Sequence, residues 1–234
     1  MPATLFAIPA PLGGTPEAAL PAPTLDAIRQ LADFVVENEK TARAFLSAVG
    51  MPRALRTLAL RRLDEHTEPS EVDALLAPLR AGRSLGLLSE AGCPAIADPG
   101  AALVASAHRE GFRVTPLIGP SAILLALMAS GLEGQRFAFC GYLPREAGQR
   151  ERRIRALEQR SRAERETEIF IETPYRNDAL LAALLASCSP ATRLCVASEL
   201  TLAGQSVAQR RIADWRRAPP AIGRRPTVFL LQAR

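Results

Sequence analysis

The segment SLGLLSEAGCPAIADPGAALVASAHREGFRVTPLIGPSA, residues 84–122, constrains the fold of this chain more than any other. Residues 84–88 are apolar and bounded by turn residues, Ala101–Arg109 sets Leu103, Val104 and Ala107 on one helical face, and 113–118 is a second short apolar run. Strand, long loop, helix and strand in that order predict a βαβ unit. Its strands run parallel, its crossover is right-handed, and ligands of such sheets lie at the carboxyl ends of the strands. The loop SEAGCPAIADPG stands at such an end, built of small residues and proline, with Glu90 and Asp98 as its only charges.

The same pattern extends in both directions. Upstream, the sequence predicts a strand at 5–8, a helix at 24–32, a strand at 34–36, a helix at 41–49 closed by Gly50, a strand at 55–61, and a helix at 72–80 introduced by Pro69 and Ser70. After Gly119 and Pro120 it restarts. Helices are expected at 121–130, 149–166 and 178–186, and strands at 137–141, 168–172 and 193–197; two last strands, 207–212 and 227–231, flank a Pro/Arg connector. With no repeat in between, the expectation is two α/β domains, 1–117 and 118–234, with mostly parallel sheets.

Composition prunes the functional classes. The chain has 234 residues, 48% hydrophobic and 23% charged, which is ordinary for a globular protein. Its longest apolar stretch, 122–129, is far below the roughly 18 residues of a spanning helix, so no membrane association is expected. The start, MPATLFAIPAPLGG, lacks a basic leader and reads as a strand entering a Pro/Gly loop, so no signal peptide and a cytoplasmic location are expected. The four cysteines form no CxxC pair, and His66 and His108 are the only histidines, which argues against a metal site. Lys40 is the only lysine among 29 basic residues. An arginine bias of this kind follows from a GC-rich genome or from phosphate recognition, for which the guanidinium fork is suited. There is no GxGxxG after the first strand, no GxxxxGK[ST], no GxSxG and no HExxH.

SEAGCPAIADPG, LIGPSA, FCGYLP, IETPYR and ASELT occur in an order and spacing that resembles the tetrapyrrole-methylase-like, or class III, S-adenosylmethionine-dependent methyltransferases. The pattern S-D-A-G-T-P-x-I-x-D-P-G is that of the branch containing the small-subunit ribosomal RNA ribose-2′-O-methyltransferases. Upstream, IPAPLGG is similar to that branch's P-T-P-x-G-N loop, VVENEKTARAFL to its A-E-D-T-R-x-T-x-x-L segment, and DEHTE to its H-E-H-N-E turn. The chain departs from these patterns at Glu90 (Asp in the family), Cys93 (Thr), and Asn38, Glu39 and Lys40 (D-T-R), and LAGQSV replaces the Lys and His-Glu pair that follow the last motif.

The resemblance implies a fold with a donor cleft between the two domains, S-adenosylmethionine as cofactor, RNA as substrate and partner, and a homodimer. It implies that Glu90, Gly92, Cys93 and Ile96 border the donor, that Pro120, Ser121 and Ala122 form the opposite wall, and that Pro9, Thr173 and Leu200 close it. For attack by a ribose hydroxyl a base is required, and His66, Glu37 and Lys40 are the candidates. Taken alone, Glu90 also reads as a solvated loop carboxylate, His66 as a surface turn residue, and Glu37 with Lys40 as a solvated helix start. Asp98 is expected to cap the helix that begins near Pro99. The run 145–166 reads as a charged helix face, and the six arginines of 209–225, held extended by proline, as the better phosphate-facing patch. Three functions remain open: an RNA methyltransferase, a methyltransferase of a small molecule such as a tetrapyrrole, and a non-catalytic S-adenosylmethionine-binding protein.

Overall fold

The computed structural model describes residues 2–64 and 66–234 and divides into two compact units, one running through Ser121 and the other Ala122–Arg234. In chain order the first unit contains β1 (Thr4–Ile8), α1 (Pro16–Ala19), α2 (Ala22–Arg29), β2 (Asp33–Val36), α3 (Glu39–Val49), β3 (Ala59–Arg62), α4 (Pro69–Ala74), α5 (Ala77–Arg80), β4 (Leu85–Leu88), α6 (Ala101–Arg109) and β5 (Arg113–Pro116). The sheet has the order β3-β2-β4-β1-β5 and every pairing in it is parallel.

Successive residues of a strand face opposite sides of a sheet, and here both sides are covered. Ile8, Phe34, Val36 and Leu88 pack with Leu25 and Ile28 of α2 and Leu46 and Val49 of α3. Leu5, Val35, Leu85 and Leu87 pack on the other side with Val72 of α4, Leu76 between α4 and α5, Leu79 of α5 and Leu103 of α6. The chain therefore leaves β1 over one face of the sheet and leaves the adjacent β4 over the other. That divergence is a topological switch point, where the ends of neighbouring strands open a crevice.

The second unit contains α7 (Ala122–Ser130), β6 (Phe137–Tyr142), α8 (Ala147–Glu164), β7 (Thr167–Ile171), α9 (Asn177–Ser187), β8 (Arg193–Ser198), β9 (Ser206–Arg211), α10 (Ile212–Arg217) and β10 (Thr227–Gln232). Its sheet order is β6-β7-β10-β8-β9. Only β6 and β7 pair in parallel, while β7–β10, β10–β8 and β8–β9 are antiparallel. The parallel reading thus holds for the first sheet, and the second is mixed. The short link from β8 to β9 allows only an antiparallel return, since a parallel pair needs a crossover of a dozen residues or more. One face of this sheet packs Phe170, Val196 and Phe229 against Ile154 and Leu157 of α8 and Leu180 and Leu184 of α9.

Three local departures from the sequence reading have identifiable causes. The strand expected at 55–61 opens with a 3₁₀ turn at Leu55–Thr57, where the Thr57 hydroxyl donates to the Ala54 carbonyl at 2.7 Å, and only Ala59–Arg62 joins the sheet. The helix expected at 72–80 breaks into α4 and α5, because Pro78 lacks the N–H that a continuous helix would need there. The connector after β9 is not extended throughout: Ile212 and Trp215, three residues apart, bury one face of α10, and the Trp215 indole N–H donates to the Leu194 carbonyl at 3.0 Å.

Candidate functional site

The carboxyl ends of β1, β2 and β4 assemble the candidate site of the first unit. After β1 the chain runs on to Ala10, which exchanges both backbone hydrogen bonds with Gly92: Ala10 N–H to Gly92 O at 2.9 Å, and Gly92 N–H to Ala10 O at 3.0 Å. The loop after β4 is thereby clamped to the extension of β1. Its backbone takes left-handed conformations at Gly92 (φ +73°), Ala95 (65°) and Ala97 (59°). For alanine each costs on the order of 1–3 kcal/mol, strain that collects at functional loops. The Cys93 thiol lies 3.5 Å from the Pro120 carbonyl, and burial pushes its pKa up, so it serves as a packed wall and not as a nucleophile. Gly119 abuts Pro9 so closely that a Cβ there would come within 2.3 Å of the proline ring.

Beside this loop lies an acidic group. The Glu37 carboxyl, just after β2, hydrogen-bonds to the Asp98 side chain and accepts the Glu90 N–H. Burial, then the bond to Asp98, then the negative charges of Asp98 and Glu90 push Glu37 up to about 7, with the Glu90 N–H opposing them. Asp98 Oδ1 also accepts the Gly100 N–H at 2.8 Å; the helix expected near Pro99 begins at Ala101 with Gly100 as its N-cap and no side-chain cap, so Asp98 braces the loop ahead of α6 and does not cap it. Glu90 Oε1 is fixed by the Thr41 hydroxyl at 2.7 Å. Glu37, Thr41, Phe45 and Glu90 line a small pocket, and Phe45 and Glu90 also border an open groove of about 410 Å³ along Pro11, Leu12 and Gly13.

The structure brings Glu37, Glu90, Gly92, Cys93, Pro9 and Pro120 to this end of the sheet, with Ile96 on the same loop and half exposed. Ser121 closes the first unit and Ala122 opens the second. Lys40 is exposed in the first turn of α3, with its backbone N–H capped by Asn38 Oδ1 at 2.9 Å. His66 is exposed after the edge strand β3, its N–H donating to Asp64 Oδ1 at 2.9 Å; Glu65 of the same motif lies outside the described residues. Glu37 is thus the candidate base that the fold places against the loop. Sequence reasoning missed Thr41 and the bond of Asp98 to Glu37, because Thr41 meets Glu90 and Asp98 meets Glu37 only across the fold.

In the second unit Thr173 donates through its N–H and hydroxyl to Glu172 Oε1, at 2.7 and 3.1 Å, and Arg176 closes the network by pairing with the buried Glu172 carboxylate. Leu200 is buried between Glu199 and Thr201, both at positive φ. The arginine patch read from 209–225 is largely committed elsewhere. Arg216 donates to the carbonyls of Leu185 and Cys188 at the end of α9, Arg225 to those of Ile222 and Ala221, Arg217 pairs with Asp214, and Arg210 lies over the Trp215 ring. Arg211 and Arg224 are exposed.

The donor set suits a sulfonium nucleoside: residues 89–100 carry no basic side chain, Glu90 and Asp98 supply negative charge, and Glu37 adds a hydrogen-bonding carboxyl beside a small-residue loop. Among the described residues no helix is long and apolar enough to cross a membrane, and no group of three or more His, Cys, Asp or Glu side chains is disposed to hold a metal ion.

Comparison with known proteins agrees with this architecture. A relative from Mesorhizobium japonicum named ribosomal RNA small subunit methyltransferase I is 38% identical over 84% of this chain and 63% of its own length. Its namesake from Escherichia coli O157:H7 is 31% identical over 87% of this chain and 67% of the relative. The chain spans just under two thirds of the Mesorhizobium relative and of a Neisseria meningitidis one, at 63% and 64%. Among solved structures, the methyltransferase CobJ superposes with a TM-score of 0.66 at 21% identity, covering 100% of this chain and 95% of CobJ. Diphthine synthase gives 0.65 at 14% identity, covering 98% and 89%. The model of the tetrapyrrole (corrin/porphyrin) methylases matches residues 5–215, and with the all-parallel first sheet and its clamped loop this establishes that the chain belongs to that family.

Proposed function

We propose that this protein is an S-adenosylmethionine-dependent methyltransferase acting on RNA, with a ribose 2′-hydroxyl of ribosomal RNA as the acceptor. The observation that carries the reading is the clamp between Ala10 and Gly92, which holds a strained small-residue loop beside Glu37 and Glu90 at the switch point of the sheet. The RNA acceptor is supported by the names of relatives 31–38% identical to this chain.

When bound, S-adenosylmethionine supplies an electrophilic methyl group on a positively charged sulfur. Gly92 and Cys93 offer backbone and small side chains for close approach, and Pro9, Ile96, Pro120 and Ser121 form walls that exclude water. Glu90, held by Thr41, accepts hydrogen bonds from a donor hydroxyl or ammonium. Glu37, whose carboxyl titrates at about 7, takes the acceptor's proton as attack proceeds. Orientation by the rigid loop supplies much of the acceleration. The protein works in the cytoplasm as a homodimer, in keeping with Met128, which is 80% exposed on the apolar α7.

Transfer of labelled methyl from S-adenosylmethionine into fractionated cell extract tests the reading. Label in small-subunit ribosomal RNA, with binding that weakens steeply as salt rises, is the expected result. Label confined to a small-molecule fraction replaces RNA by a small acceptor. Donor binding without label in any fraction leaves a non-catalytic binding protein.

A further inference from the structure

The chain contains two tyrosines, and both are exposed, Tyr142 by 54% and Tyr175 by 66%. Both also emerge at the same end of one strand pair. Tyr142 is the last residue of β6 and stands opposite Ile171, the last residue of the parallel β7; four residues beyond Ile171, Tyr175 sits in a 3₁₀ turn, Pro174–Arg176.

Neither position is explained by packing. The register between β6 and β7 shifts between Phe139 and Tyr142, with Gly141 at φ +65°. Irregularities of this kind re-aim a side chain, and here Tyr142 turns outward while Leu143, the next residue, is 3% exposed. Tyr175 is held from one side by the Arg176 guanidinium, 5.8 Å from its ring centroid. Arg176 is itself fixed by the Glu172 carboxylate, only 1% exposed, and by the Thr173 hydroxyl at 3.0 Å. The Tyr175 ring is therefore presented on a rigid, charge-balanced support. Three residues after Tyr142 comes the exposed Arg145, whose carbonyl accepts a bond from Arg150 at 3.0 Å.

We propose that Tyr142 and Tyr175 form a stacking platform for unpaired nucleobases of a single-stranded RNA segment, with Arg145 facing its backbone phosphate. Flat aromatic faces with a flanking cation are what unstacked bases bind, whereas bases inside a duplex have no free face to offer. The platform rests on the RNA reading above and adds to it where the strand is gripped.

The test is a titration of the full-length protein with an unstructured RNA of about 12 nucleotides, near the length such grooves bind, carrying 2-aminopurine at its centre. In the parent, binding quenches the probe. Tyr142→Ala and Tyr175→Ala each weaken binding about tenfold and relieve quenching, while the Phe variants retain both. The slope of log affinity against log salt is the same in all, because neither ring carries a charge that neutralises a phosphate. Thermal melting confirms that the variants fold. Ala variants that bind and quench like a binding parent overturn the platform alone; a parent that fails to bind RNA at low salt overturns the RNA reading and the platform with it.

Discussion

Ala10 and Gly92 face each other as an isolated antiparallel bridge, bonded in both directions at 2.9 and 3.0 Å, although 82 residues separate them and the strands they extend run parallel. The loop after β4 is thus fixed to the chain leaving β1 through its backbone alone. Gly92 is needed for its φ of +73°, and a Cβ there would lie 3.4 Å from Leu12 and 3.8 Å from the Pro120 carbonyl.

Gly92→Val is accordingly expected to fold, to lose on the order of 1–3 kcal/mol through a β-branched residue held at positive φ, and to lose donor binding. Thermal melting and calorimetric titration with S-adenosylmethionine check the two effects separately. Parent-like donor affinity in this variant would remove the loop from the donor site.

The Glu37 carboxyl, raised from its ordinary value of 4.5 to about 7, links stability to pH. Between those values the folded chain holds a proton that the unfolded chain has released. Stability contributed by this group is therefore full below about 4.5, falls as pH rises toward 7, and is flat above. Glu37→Gln keeps a donor for Asp98 and an acceptor for the Glu90 N–H, so it should remove this slope and raise stability at pH 8 relative to the parent. Denaturant unfolding at several pH values reads this out. Methyl transfer by the variant should drop by about 100-fold or more, as expected for loss of a general base.

Arg176→Ala leaves the Glu172 carboxylate buried without its cation. Breaking a buried pair from one side costs about 3–5 kcal/mol, so urea unfolding should show a loss of that order. A loss under about 1 kcal/mol would mean that water reaches the carboxylate and that the support under Tyr175 is soft.

The arginines of 209–225 should separate into two groups. Arg216→Gln loses bonds to the final carbonyls of α9 and should cost stability, about 1–2 kcal/mol, with little change in RNA binding. Arg211→Gln together with Arg224→Gln should leave stability unchanged, weaken RNA binding, and flatten its salt slope by roughly one unit for each phosphate left without its arginine. Fluorescence anisotropy across a salt series distinguishes the groups.

The contrast within this arginine run shows what sequence could and could not reveal. The βαβ order of 84–122 and the restart of the pattern with a helix after Gly119 and Pro120 follow from local periodicity, and they stand in the structure as read. The α10 turn is invisible to local pattern because Ile212 and Trp215 become a buried face only once Leu194 lies beneath them. Asp98 reads as a helix cap from its neighbours, yet Gly100 is the N-cap of α6 and has no side-chain cap, while the bond of Asp98 to Glu37 joins positions 61 residues apart, which no local pattern encodes. For the same reason Glu37, Lys40 and His66 are equivalent as candidate bases at the level of sequence. Only the fold sets Glu37 against the loop and leaves the other two exposed.

Thermal unfolding of the parent with and without S-adenosylmethionine tests the central claim most directly. A ligand that binds only the folded state adds about 2.7 kcal/mol at roughly 100 times its dissociation constant, a shift readily seen in the melting temperature. The account predicts that shift for the parent and its loss in Gly92→Val. An unchanged melting temperature for the parent at millimolar donor would contradict the assignment of the clamped loop as a donor site.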